Sequence, residues 1–115
     1  MVVDDEPDAR FLLRYVFEQA GHEVSEAHNG IVALAAIKRS RPALVVTDMM
    51  MPVMDGAELI RQLRAAPDTS HIPILAITGN EDLAVAADAV LNKFGDLSGL
   101  VELAEELLNR GRDLR

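Results

Sequence analysis

Two short runs, "ALVVT" at 43–47 and "IPILAIT" at 72–78, are apolar at nearly every position. A strand with one wet face alternates apolar and polar side chains. These runs do not, so both of their faces must be covered. A strand buried on both sides belongs to a parallel sheet with helices packed above and below it. The rest of the chain supplies those helices. Ala9, Leu12, Leu13, Val16, Phe17 and Ala20 carry the i, i+3, i+4 spacing of an amphipathic helix over 7–21, with Pro7 in its first turn and Gly21 at its C-terminal cap. Further helices are read at 29–40 with Asn29 as N-cap, at 56–66 ending before Pro67, and at 97–110 with Asp96 as N-cap. "MVV" reads as the first strand, 22–27 as a half-exposed edge strand and 88–92 as the fifth strand. Between the last two strands, 81–87 has room only for a short helix. The expectation is one α/β domain over 1–115: a doubly wound, five-stranded parallel sheet with helices on both faces, the fourth helix short.

Composition narrows the function. Half the residues are hydrophobic but only 3% are aromatic, so the core must be aliphatic, with methionine. Eleven basic against 19 acidic residues give a net charge of −8, which repels nucleic-acid phosphates and anionic membranes, so neither is expected as a direct partner. The chain has no cysteine, which excludes disulfides, thiolate metal sites and cysteine nucleophiles and suits the cytoplasm. No apolar run approaches the ~20 residues of a membrane span, and no signal peptide is read ahead of the fold.

In a doubly wound sheet the working site lies beyond the carboxyl ends of the strands. The residues there are Asp4 and Asp5 after the first strand, Asp48 after the third, Thr78 and Gly79 after the fourth, and Lys93 after the fifth. Three converging carboxylates repel one another and call for a counter-cation; with oxygen ligands only, Mg²⁺ fits best. A hydroxyl from Thr78 and an ammonium from Lys93 suit the oxygens of a phosphoryl group. Taken singly, each has a plainer reading: a helix N-cap for Asp4-Asp5, a turn residue for Asp48, a hydroxyl tied to backbone for Thr78, a solvated charge for Lys93. His22, His28 and His71 show no ligand spacing and are read as surface residues, and the methionines as packing.

"DMMMPVMDG", 48–56, matches D-x-x-M-P-x-M-D-G without a mismatch, and with the strand-end residues it resembles the receiver domain of two-component response regulators. The resemblance implies the flavodoxin-like strand order 2-1-3-4-5. It implies that Asp48 accepts a phosphoryl group from a phosphohistidine on a sensor histidine kinase or histidine phosphotransfer protein. It further implies Mg²⁺ held by Asp5, Asp48 and the Met50 carbonyl, with Asp4 acting largely through water, and Thr78 and Lys93 on the phosphoryl oxygens. Such a domain is no enzyme beyond assisting its own phosphorylation and dephosphorylation, and it passes its signal to an output partner that the sequence does not name. Pro52 and Gly56 are expected to shape the loop that holds Asp48.

The chain also departs from that family. Phe94 follows Lys93 where the family carries a cis proline, so the Lys93–Phe94 peptide is expected to be trans. Val90 stands where an aromatic switch is usual, and only 15 positions separate Thr78 from Lys93, a shorter interval than the family's. Two rival readings therefore stand beside the phospho-acceptor. One is a degenerate receiver that binds partners without phosphorylation. The other is a small Mg²⁺-dependent phosphatase of the haloacid dehalogenase type, which would carry D-x-D after its first strand where this chain has D-D-E.

Overall fold

The structure, a computed structural model, describes residues 1–84, 86–93 and 98–113. The chain runs β1 (Val2–Val3), α1 (Pro7–Gln19), β2 (Glu26–Ala27), α2 (Gly30–Arg39), β3 (Val45–Asp48), α3 (Gly56–Ala65), β4 (Ile74–Thr78), a 3₁₀ turn (Glu81–Ala84), β5 (Ala89–Asn92) and α4 (Leu100–Asp113). The five strands form one sheet in the order β2-β1-β3-β4-β5, and every pairing is parallel. This is the expected doubly wound architecture.

Neighbouring residues of each inner strand feed opposite layers, as the two-residue period of a strand requires. Val45 and Ile74 pack with Ile37, Leu59 and Leu63 beneath α2 and α3. Val46 and Leu75 pack with Leu13, Phe17, Leu100 and Leu107 beneath α1 and α4. Every residue of β3 and β4 is buried, as the unbroken apolar runs predict.

Local chemistry ends the helices where the sequence places the signals. Gly21 has φ +94°, and the N–H groups of Gly21 and His22 return to the Glu18 and Phe17 carbonyls to close α1. Asn29 accepts from the Val32 amide at 2.8 Å at the start of α2, and Asp55 from the Glu58 amide at 2.9 Å at the start of α3.

Three elements differ from expectation. The strand read over 22–27 narrows to Glu26–Ala27, and the final helix begins at Leu100 rather than 97. The proposed Asp96 cap and the Lys93–Phe94 peptide fall outside the described residues. The helix read at 81–87 is a single 3₁₀ turn, too short to hold itself by its own hydrogen bonds. Arg64 anchors the crossover instead. Its Nη1 donates to the Ser70 and Ile72 carbonyls, both at 2.8 Å, and its Nη2 to Asp88 Oδ2 at 2.7 Å. The same Asp88 oxygen accepts the Ile74 amide at 2.7 Å, so one guanidinium ties the C-terminal half of α3 to the entries of β4 and β5. Among the described residues no helix is long and apolar enough to cross a membrane.

Candidate functional site

β1 and β3 lie side by side, with Val3 opposite Thr47, so their exits bring Asp4 and Asp5 next to Asp48. One carboxylate oxygen from each of these three residues lies within 4.8 Å of the others. Asp4 and Asp48 are buried, and Asp5 is half-buried. Asp48 is held on both oxygens: Oδ1 accepts the Met49 amide at 2.8 Å and the Met50 amide at 3.4 Å, while Oδ2 accepts Lys93 Nζ at 3.0 Å. Lys93 reaches inward because its own amide donates to the Thr78 carbonyl at 3.1 Å where β4 and β5 end together. Asp4 is fixed by its amide on the Ala27 carbonyl at 3.1 Å and by its carboxylate on the Glu6 amide at 2.9 Å.

The loop between β3 and α3 is tightly built. Met49, Met51 and Met54 are buried, whereas Met50 and Val53 face solvent. The Met54 amide donates to the Pro52 carbonyl at 2.9 Å, and Val53 between them has φ +74°, a γ-turn of the positive-φ kind. Gly56 sits at a point of close approach. A Cβ there would collide with the Asp48 carbonyl oxygen and stand 2.7 Å from Met49 Sδ. Gly30 plays the same part for α2, where a Cβ would stand 2.8 Å from the Met54 carbonyl oxygen.

The family model for the response regulator receiver domain matches residues 1–97. The chain belongs to the receiver domain family. Sporulation initiation phosphotransferase F of Bacillus subtilis is 34% identical over 83 residues, covering 72% of this chain and 67% of that protein. The response regulator MprA of Mycobacterium avium is 37% identical over 114 residues, 99% of this chain but only 49% of that protein. Among solved structures, the response regulator TrrA of Thermotoga maritima, in complex with Mg²⁺ and a beryllofluoride group, aligns with a TM-score of 0.83 at 30% identity, covering 92% of this chain and 95% of that one. A response regulator receiver domain of Clostridium thermocellum aligns with a TM-score of 0.88 at 25% identity, covering 99% and 96%.

Electrostatics at this receiver site are dominated by acid. Burial pushes the Asp4 carboxyl above its ordinary value; the Glu6 amide opposes that shift and the Asp48 charge adds to it. Burial pulls the Lys93 ammonium down, but its hydrogen bond to Asp48 and that carboxylate's charge outweigh burial and leave it above its ordinary value. Three carboxylates facing one ammonium leave two negative charges uncompensated when all are ionised. A donor set of hard oxygens with that surplus fits a divalent cation such as Mg²⁺. The Met50 side chain points to solvent, and among the described residues no donor engages its carbonyl.

Thr78 stands apart. It is buried at the end of β4, but its Oγ1 accepts the Asn80 amide at 3.1 Å and donates to the Asn80 carbonyl at 3.2 Å. The hydroxyl is therefore tied to backbone, the plainer of its two sequence readings, while Asp4, Asp5, Asp48 and Lys93 converge. One participant escaped the sequence altogether. Arg10 Nη1 donates to the Asp4 carbonyl at 2.8 Å, and its Nε to Glu26 at 3.2 Å. Only its place one helical turn beyond Glu6, just after the two acids, could have suggested it.

Proposed function

We propose that this receiver accepts a phosphoryl group on Asp48 from a phosphohistidine on a sensor histidine kinase or histidine phosphotransfer protein. The observation that carries the reading is the Lys93 ammonium 3.0 Å from Asp48 Oδ2, beside three carboxylates whose oxygens lie within 4.8 Å of one another. A carboxylate oxygen of Asp48 attacks phosphorus, the P–N bond breaks, and its electron pair stays on the imidazole of the donor. Met49 and Met50 amides keep the acceptor oriented, so little freedom is lost on reaching the transition state. Lys93 neutralises charge on the phosphoryl oxygens. Asp5, Asp48 and the Met50 carbonyl would hold Mg²⁺, with Asp4 acting through water. When bound, the cation supplies charge neutralisation between acceptor and phosphoryl group. Thr78 would join the phosphoryl oxygens by releasing Asn80.

Apolar side chains stand exposed where a protein donor would approach: Phe11, Leu12 and Tyr15 on α1, and Met50 and Val53 on the acceptor loop. Such a surface suits a protein partner rather than a small substrate. A cytoplasmic setting and a role limited to signalling, without turnover of a substrate, belong to the same proposal. The chain spans 49% of MprA and 25% of a Hahella chejuensis protein-glutamate methylesterase, relatives in which the receiver is joined to further sequence.

Incubation with Mg²⁺ and acetyl phosphate should add about 80 Da, one phosphoryl group. Asp48→Asn should abolish the adduct, and its persistence in that variant overturns the assignment. No adduct on the wild-type chain would favour the receiver that works without phosphorylation. Steady release of phosphate from small phosphate esters would favour the phosphatase.

A further inference from the structure

The Asp4 carbonyl belongs to the peptide that joins the two acids of the β1 exit. Asp4 is pinned on its amide side by Ala27 and on its carboxylate by the Glu6 amide. The Arg10 guanidinium takes the carbonyl side at 2.8 Å and closes the circuit onto β2 through Glu26 at 3.2 Å. The Arg10 side chain is only 21% exposed, so its carbonyl contact is shielded from competing water. With the Asp4–Asp5 carbonyl held by Arg10 and the Asp5–Glu6 amide held by the Asp4 carboxylate, the peptides on both flanks of Asp5 are held, and so is the direction in which its side chain leaves the backbone. Arg14 gives the contrast. Its Nη1 reaches the same Glu26 carboxylate at 2.6 Å and its Nε reaches Glu18, without touching Asp4.

We infer that Arg10 is a positioning residue for the acid cluster: it locks the Asp4–Asp5 peptide so that Asp5 meets Asp48 across a divalent cation. The inference rests on the proposed function, in which the cluster holds that cation. A purely electrostatic role would have the opposite sign. A fixed positive charge beside a cation site repels the incoming cation, so removing it should tighten binding. Positioning predicts that removal weakens binding, because a ligand left to wander loses the geometry that Mg²⁺ demands.

The test is a Mg²⁺ titration of the whole chain, monitored by amide chemical shifts, for wild type, Arg10→Ala, Arg10→Lys and Arg14→Ala. Arg10→Ala should bind about tenfold more weakly, the low end of the loss seen when a ligand's outer hydrogen-bond partner is removed. Arg10→Lys keeps the charge but not the planar fork, and should fall between. Arg14→Ala should bind no more weakly than wild type. Without metal, the Glu6 amide should exchange faster in both Arg10 variants. Binding by Arg10→Ala and Arg10→Lys as tight as wild type, or tighter, overturns the inference, and so does an equal loss in Arg14→Ala. If Arg10→Ala does not fold, Arg10→Lys decides. If the wild-type chain binds no Mg²⁺, the cation reading itself fails; Glu6 exchange then decides the positioning role, which unchanged rates would overturn.

Discussion

Val53 is the residue most at odds with its backbone. A β-branched side chain at φ +74° is crowded by its own carbonyl, and a turn of this kind stores on the order of 1–3 kcal/mol. The side chain is exposed and contributes little packing in exchange. Val53→Gly should therefore raise the urea midpoint, with a net gain of about 0.5–1 kcal/mol once glycine's freedom in the unfolded chain is subtracted. A lower midpoint would show that the strain is absorbed elsewhere in the loop. Asp4 carries a different tension. Burial and Asp48 hold its folded-state pKa above the ordinary 3.8, so the folded chain binds that proton more tightly than the unfolded one. The neutral acid's stabilising contribution is full below the unfolded value and is lost as pH rises through the folded one. At neutral pH, Asp4→Asn should thus stabilise the fold by roughly 0.5–2 kcal/mol, the usual gain from relieving a functional site. The advantage should shrink in urea melts at about pH 3, where the wild-type acid is neutral. A gain equal at both pH values would mean that charge is not its source.

At the scale of elements, the crossover from β4 to β5 rests on a side chain more than on a helix. Arg64→Ala would remove the guanidinium from the Ser70, Ile72 and Ala86 carbonyls and leave Asp88 with only the Ile74 amide of the contacts described, at a cost of about 2 kcal/mol in a urea melt. Amide exchange should rise first in residues 79–88. Uniform exchange through the chain would show instead that the crossover is held by its apolar contacts. The proposed phosphorylation of Asp48 should be felt in the same segment, because Thr78 can turn toward that carboxylate only by giving up Asn80, which also caps the 3₁₀ turn through the Asp82 amide at 3.1 Å. Exchange with and without a beryllofluoride group checks this; equal rates at Asn80 and Asp82 would send the signal elsewhere. Val90 has no ring to rotate, so the usual aromatic route is absent from this edge.

For the whole molecule, legibility tracked the length of the signal. Sheet and long helices could be read because 43–47, 72–78 and the helix stripes repeat their period several times. The strand-end rule then brought Asp4, Asp5, Asp48 and Lys93 together. Short elements escaped, since two residues of β2 and one 3₁₀ turn carry no period and take their bounds from what they touch. Arg10 escaped because its partner Glu26 lies 16 positions away and meets it only through strand register. Val53 escaped because no propensity would place valine at positive φ. The unequal burial of the sheet has one more consequence. β3 and β4 are buried throughout, whereas Ala89, Val90 and Leu91 of β5 are only half-buried and Asn92 is exposed. Partial unfolding favours segments with the least buried apolar surface, so β5 should peel away at lower free energy than the strands it pairs with. Lys93 travels with it. The ammonium that pairs with Asp48 is thus tethered to a flap that lifts more easily than the strand beside it, and each brief lifting would lay that carboxylate bare.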